Sequence, residues 1–202
     1  MPTRFDQFGA KPAVLRCSRC GRFVDWEEAQ VQVICSCKPH VELPPVLVRE
    51  ATDADRAAAR ELFARDFGRT KIVAYGEVMD IDQMPALVAV RYADPSGALA
   101  YRLHGDALHI VALATDPMWQ RSGVGSYLVA EAELLARKLT IPRVIVSMTN
   151  DNLPALYFYQ RRGYFVAEWI PNAVAKHSKS ASLVGFAGIP IRDEVRLEKM
   201  IA

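Results

Sequence analysis

Asp116-Pro117-Met118-Trp119-Gln120-Arg121-Ser122-Gly123-Val124-Gly125-Ser126 links a run that reads as a β-strand to one that reads as an α-helix, and the fold turns on that link. Behind it, Val124, Leu128, Ala132, Leu135 and Leu139 fall at helical spacing, with Arg137 and Lys138 in the last turn, where cations suit the helix dipole. Ahead of it, Ala107 to Thr115 is β-like. A helix N-terminus presents unpaired N–H groups and the positive end of a dipole, so it binds phosphate oxygens. Gly123 and Gly125 let the backbone approach such a group, and Arg121 adds a fixed positive charge. On its own, Gly-x-Gly before a helix serves a tight turn with close helix packing as well as it serves a phosphate cradle.

Outward from this link the pattern is regular. Toward the N-terminus, Ala86 to Tyr92 and Ala98 to His104 join Ala107 to Thr115 as β-like runs, separated by Asp94-Pro95-Ser96-Gly97 and Gly105-Asp106, which reads as an antiparallel meander. Before it, Val46-Leu47-Val48 looks like a short strand, and Thr52-x-x-Asp55 caps a helix through Ala57, Leu62 and Phe63 toward Gly68. Toward the C-terminus come an apolar strand (Arg143 to Thr149), a helix (Asn152 to Arg162) ending at Gly163, a strand (Tyr164 to Ile170) and a closing strand from about Glu194 to Ile201. Pro171 to Pro190, polar and glycine-containing, reads as a long substrate-facing loop, with Lys176, His177 and Lys179 as lining candidates or as a solvated flap.

Gln120-x-x-Gly123-x-Gly125, set between a strand, an Asp-Pro turn and an amphipathic helix, resembles the pyrophosphate loop of the GNAT acetyltransferases. Asn152-x-x-Ala155-x-x-Phe158-Tyr159-x-x-x-Gly163-Tyr164 is similar to that family's second signature. The resemblance spans roughly residues 46 to 201. It implies an α+β (α/β three-layer, GNAT-like) fold: a mixed, largely antiparallel central sheet flanked by helices, here with a small N-terminal zinc module added.

The resemblance also implies chemistry. Leu113, Ala114 and Thr115 would pair with the pantetheine of acetyl-CoA like an added strand, and Arg121, Ser122, Gly123, Val124, Gly125 and Ser126 would hold the pyrophosphate. Asn152 would meet the pantetheine arm, although Asn before Leu153-Pro154 is equally a good N-cap. Tyr159, otherwise a core aromatic, would give a proton to the leaving thiolate. The reaction implied is direct transfer of acetyl to an acceptor amine, a small molecule or a protein amine. Eleven positions before the motif glutamine, where histone-acetylating relatives carry a glutamate, stands His109. An imidazole is suited to base work near neutrality; a half-exposed strand histidine with no catalytic part, and water as the base, remain alternatives. So do a noncatalytic acyl-CoA-sensing regulator and a zinc-module binding protein.

All four cysteines lie between positions 17 and 37. Cys17-x-x-Cys20 and Cys35-x-Cys37 bring two thiolate pairs together, as a tetrahedral, structural Zn2+ site requires. Two disulfides and buried free thiols are the alternatives, and His40 is an alternative ligand to Cys35 or Cys37. Pro44-Pro45 reads as a stiff boundary between a zinc-ribbon-like module at 1–45 and the GNAT domain at 46–202. Residues 1 to 45 carry six Lys or Arg against five Asp or Glu, and the whole chain has a formal net charge of +2, so nucleic acid is not an expected partner. No apolar run nears the ~20 residues of a membrane span, and Met1 to Asp6 lacks the apolar stretch of a secretory signal. A cytoplasmic protein is expected. A homodimer is left open.

Overall fold

Alternating and continuous apolar runs build one large sheet, and the helices cover both its faces. The computed structural model describes residues 14–16, 23–25, 45–92, 94–120, 122–177 and 183–201, and the chain divides into two units, Met1–Leu43 and Pro44–Ala202. In the first, β1 (Val14–Arg16) pairs antiparallel with β2 (Phe23–Asp25), from Val14 opposite Asp25 to Arg16 opposite Phe23. Cys17 and Cys20 belong to the link between these strands; all four cysteines, and His40, lie outside the described residues.

The second unit runs β3 (Leu47–Glu50), α1 (Arg56–Phe67), β4 (Lys71–Ala74), β5 (Glu77–Asp80), β6 (Ala86–Arg91), β7 (Asp94–His104), β8 (Ala107–Thr115), α2 (Val124–Lys138), β9 (Arg143–Thr149), α3 (Leu153–Gln160), β10 (Phe165–Ile170) and β11 (Glu194–Met200). Seven strands form one sheet in the order β10-β11-β9-β8-β7-β6-β3. Neighbours are antiparallel except β8 and β9, which are parallel and joined through α2, as a parallel pair needs a crossover. The expected mixed, largely antiparallel sheet flanked by helices is what forms. Among the described residues no helix is long and apolar enough to cross a membrane.

Each face has its own core. On one, Val124, Leu128 and Ala132 of α2 and Tyr159 of α3 pack on Leu99, Leu108, Ile110 and Val146. On the other, Ala59, Leu62 and Phe63 of α1 pack with Ala74 and Met79 on Val88, Ala98 and Ala112. Gly97 permits the close approach of α2, since a Cβ there would lie 2.7 Å from Val124 Cγ1 and 3.1 Å from Leu128 Cδ1.

The start of α1 follows its sequence signal. The Asp55 carboxylate accepts from Thr52 N (2.7 Å) and Thr52 Oγ1 (2.6 Å), and Arg49 of β3 donates to it from both terminal nitrogens. The bidentate Arg49, its hydrogen bonds outweighing the cost of burial, holds the Asp55 pKa far below the usual carboxylate range.

Three features depart from the sequence reading. Asp94-Pro95-Ser96-Gly97 is the first part of β7 rather than a turn, and the chain reverses at Tyr92, whose φ is 51°. The β4–β5 hairpin was not foreseen. The stretch after β10 is tied down: Asn150 Oδ1 accepts from Arg192 N and Asp193 N (both 2.9 Å), Asp193 accepts from Asn172 N and Trp169 Nε1, and Asp151 Oδ2 accepts from Phe186 N (3.0 Å). Buried carboxylates and backbone N–H groups thus anchor both ends of the segment that reads in the sequence as a long substrate-facing loop or a solvated flap. Lys179 lies outside the described residues.

Candidate active site

The site begins with one extra residue. Along β7 and β8, Ala100 faces Ala112 but Tyr101 faces Ile110, so Val111 is a β-bulge. A bulge bends its strand and sharpens its twist. Pairing between β8 and β9 ends at the same place: it runs from Ala107 opposite Arg143 to Ile110 opposite Val146, whereas the strands continue to Thr115 and Thr149. The two strands therefore fork. Beyond Ile110, the β8 backbone groups that turn away from β7, along Leu113, Ala114 and Thr115, lack a β9 partner and line the gap as a strand edge, on which Thr115 O accepts from Arg65 at 3.0 Å.

At the open end of the fork stands the start of α2. Asp116 Oδ1 accepts from Met118 N (2.8 Å), forming a short turn, and Ser122 donates through Oγ to Trp119 O (2.6 Å). Arg91 of β6 places its guanidinium 4.8 Å from the Trp119 ring centroid and donates to Ser122 O at 3.4 Å. Gly123 then takes a left-handed φ of 94°, which L side chains rarely adopt, and caps α2. Its carbonyl accepts from Ser126 N and Tyr127 N, leaving the N–H groups of Gly123, Val124 and Gly125 without a partner among the described residues. Arg121 lies outside the described residues.

Gly125 draws three elements together: a Cβ on it would sit 3.4 Å from Phe158 of α3 and 3.7 Å from Leu113 of β8. A second cation joins them. Arg162 donates to Ser126 Oγ and to Phe158 O (2.6 Å), with its guanidinium 3.5 Å from the Phe158 ring centroid. Its acceptors are a hydroxyl and a carbonyl, neither of them charged. The sequence reading passed over Arg162, although the Arg161-Arg162 pair within the second signature was the available signal.

Asn152 caps α3, accepting from Ala155 N at 3.1 Å through Oδ1, which leaves its NH2 group for a ligand. Tyr159 is buried, its ring edge-on to Phe158 and Tyr164 at 5.0 and 5.3 Å. Burial raises its pKa well above the ordinary 10, so the phenol is protonated at neutral pH.

His109 points to the other face of the sheet. Its ring lies 4.3 Å from that of Tyr75 and 5.6 Å from that of His104. Burial first, then the electrostatic influence of Arg102, His104, Arg196 and Arg143, hold its pKa down at about 4. The sequence had suggested an imidazole of ordinary basicity; the neighbours that depress it come from three other strands and carry no local signal. Two buried atoms here, His109 Nδ1 and Arg102 Nε, have no partner among the described residues. Tyr75 and Glu194, also missed, meet at this face: Tyr75 N and Gly76 N donate to the two Glu194 carboxylate oxygens at 3.1 and 3.0 Å, and Arg196 Nε donates to the same group at 2.5 Å.

Beside this geometry stands a direct comparison: the model of the acetyltransferase (GNAT) family matches residues 53–164. The chain belongs to the GNAT acetyltransferase family. The protein YdhI of Bacillus subtilis (strain 168) is 31% identical to it over 145 residues, which are 70% of this chain and 89% of YdhI. In fold, this GNAT chain resembles an IAA acetyltransferase from Bacillus cereus ATCC 14579, with a TM-score of 0.61, 18% identity, and coverage of 77% of this chain and 99% of that one. It also resembles a Bacillus subtilis acetyltransferase solved in complex with CoA, with a TM-score of 0.60, 18% identity, and coverage of 78% and 98%. The four cysteines fall outside the matched residues; among the described residues, no group of three or more His, Cys, Asp or Glu gathers to hold a metal ion.

Proposed function

We propose that this protein transfers the acetyl group of acetyl-CoA directly to an acceptor amine, a small molecule or a protein amine. The fork between β8 and β9, with N–H groups at the start of α2 that have no partner among the described residues, carries the reading. Pyrophosphate oxygens would take the N–H groups of Gly123, Val124 and Gly125, with Ser122, Ser126 and Arg121 around them and Arg162 adding charge at Ser126. The pantetheine amides would pair with Leu113, Ala114 and Thr115 as a short added strand, and the Asn152 NH2 would donate to the same arm.

The amine nitrogen attacks the thioester carbon, forming a C–N bond, and the C–S bond breaks as the adduct collapses. A β8 backbone N–H near Leu113 would stabilise the developing oxyanion. Tyr159 meets the sulfur. A phenol with a raised pKa transfers its proton uphill to a thiolate, whose conjugate thiol is the stronger acid. Tyr159 therefore acts first by donating a hydrogen bond as charge grows on sulfur. The adduct's own ammonium proton leaves toward the opposite face, where the neutral His109, through a water at its unpartnered Nδ1, or solvent alone takes it.

Residues 1–45 are proposed as a separate zinc-ribbon-like module and 46–202 as the catalytic domain. Cys17, Cys20, Cys35 and Cys37 are the proposed ligands of one structural Zn2+. β1 and β2 support this reading, since an antiparallel pair bracketing Cys17-x-x-Cys20 suits a metal knuckle.

Calorimetry with acetyl-CoA, followed by thiol release with a panel of amines, tests the reading. Binding with amine-dependent thiol release is expected. Tight binding without turnover would replace the enzyme by a CoA sensor, and absence of binding would remove both.

A further inference from the structure

The acceptor must reach the fork from the face opposite α2 and α3, because those helices and their core fill the first face. On the acceptor side the fork is overhung by the tip of the β4–β5 hairpin. Tyr75 Oη lies 2.7 Å from Ile110 O and 3.0 Å from Ile145 O, the carbonyls at the last paired rungs of β8 and β9. The phenol has one proton for these two carbonyls. Each carbonyl also belongs to the β8–β9 ladder, which takes one of its lone pairs; whichever the phenol serves, the second lone pair of the other carbonyl and the lone pairs of Tyr75 Oη are left to accept hydrogen bonds.

The backbone is strained where this side chain sits. Tyr75 and Gly76 form the two-residue hairpin loop, with φ of 54° and 75°. A loop with two positive φ values takes Asn, Asp or Gly at its first position, and a bulky residue there is strained. This chain keeps tyrosine and holds the strained turn with the buried Glu194, which accepts from both loop N–H groups. The ring is fixed by His109 at 4.3 Å and by the guanidinium groups of Arg102 and Arg196 at 5.2 and 5.6 Å. Strain kept by the surrounding structure marks functional positions.

Resting on the acetyl-transfer reading above, we propose that Tyr75 receives the acceptor: its hydroxyl oxygen and the second lone pair of the carbonyl that the phenol does not serve accept the two N–H groups of an attacking primary amine, which aims the nitrogen lone pair at the thioester carbon. A secondary amine offers one N–H and leaves one of these acceptors unfilled, so Tyr75 is the residue that sets the preference for a primary over a secondary amine.

The test uses the full chain and two probe nucleophiles, hydroxylamine and N-methylhydroxylamine, with thiol release from acetyl-CoA as the readout against the uncatalysed rate. Wild type should favour hydroxylamine beyond the uncatalysed ratio. In Tyr75→Phe, kcat/KM for hydroxylamine should fall roughly 10- to 100-fold, the range for one lost hydrogen bond in a dry site. The preference should shrink toward the uncatalysed ratio, while acetyl-CoA affinity holds within about twofold. An unchanged preference, or a loss of acetyl-CoA affinity matching the loss of rate, would make the hydroxyl a strut of the fork and overturn the proposal. A wild-type protein that fails to bind acetyl-CoA would instead overturn the acetyl-transfer reading itself, so the two failures are distinct.

Discussion

A phenol or an imidazole taken out of water loses much of its capacity to carry charge, and the site residues differ in what compensates them. For Tyr159 burial dominates and the phenol stays protonated. Tyr159→Phe keeps the ring and its packing, so acetyl-CoA should bind as before while kcat falls on the order of 10²-fold, as for loss of one hydrogen-bond donor to developing charge; wild-type turnover would leave Tyr159 a packing residue. For His109 the sign runs the other way. Its folded pKa of about 4 lies below the ordinary 6.5, so between these values the unfolded chain binds the extra proton. Stability from this group is complete above about pH 6.5 and is lost as the pH falls toward 4. In His109→Gln the Tm should lose its rise across that window, which a melt series at stepped pH reads directly. If His109 takes the amine's proton, the acidic limb of kcat/KM should sit near 4 in wild type and vanish in the variant; a limb shared by both would assign the proton to water.

At the scale of elements, the helix start and the anchored stretch after β10 make separate demands. The first turn of α2 has no space for an anionic side chain without filling the proposed cradle, and Gly123 has a φ that only glycine adopts without strain. Gly123→Glu or Gly125→Glu should abolish acetyl-CoA binding in calorimetry while the chain stays folded by circular dichroism; unchanged affinity would move the pyrophosphate elsewhere. Gly185 is constrained by packing rather than by charge. A Cβ there would collide with the Asp151 carboxylate, which Thr149 Oγ1 and Phe186 N already engage. Gly185→Ala should cost about 1–3 kcal/mol, as overpacking does, and hasten proteolysis within 171–190. Proteolysis at the wild-type rate would show that this anchor does not hold the segment. These elements also mark where sequence sufficed. The Thr52/Asp55 cap, the αL glycine before α2 and the Asn152 cap are signals within four residues of chain, and each stands where the pattern put it. The fork is different: Val111 is one apolar residue in an apolar run, and only its register against Tyr101 and Ala100 makes it a bulge. The β4–β5 hairpin escaped because its strands are four residues each and Tyr75-Gly76 is an unusual pair for so tight a turn.

For the whole molecule, the residues that assemble at the fork come from the hairpin (Tyr75), β7 (Arg102), β8 (His109), α3 (Tyr159) and β11 (Glu194), and their meeting is a property of strand order that no single stretch encodes. All of them lie in the unit Pro44–Ala202, and the four cysteines lie in Met1–Leu43. The two units should therefore answer to different reagents. A segment of ~40 residues buries too little apolar surface to offset its conformational entropy unless a metal or disulfides staple it, and the described pairing there amounts to two three-residue strands. Thiolates in a reducing compartment favour the metal. Purified protein should carry about one zinc per chain by elemental analysis. Cys17→Ser or Cys20→Ser should release it and render residues 1–43 sensitive to protease, while acetyl-CoA affinity stays at the wild-type value. Metal-free protein whose first unit resists protease under reducing conditions would exclude the zinc staple. A parallel loss of zinc and acetyl-CoA binding would show instead that the first unit supports the fork.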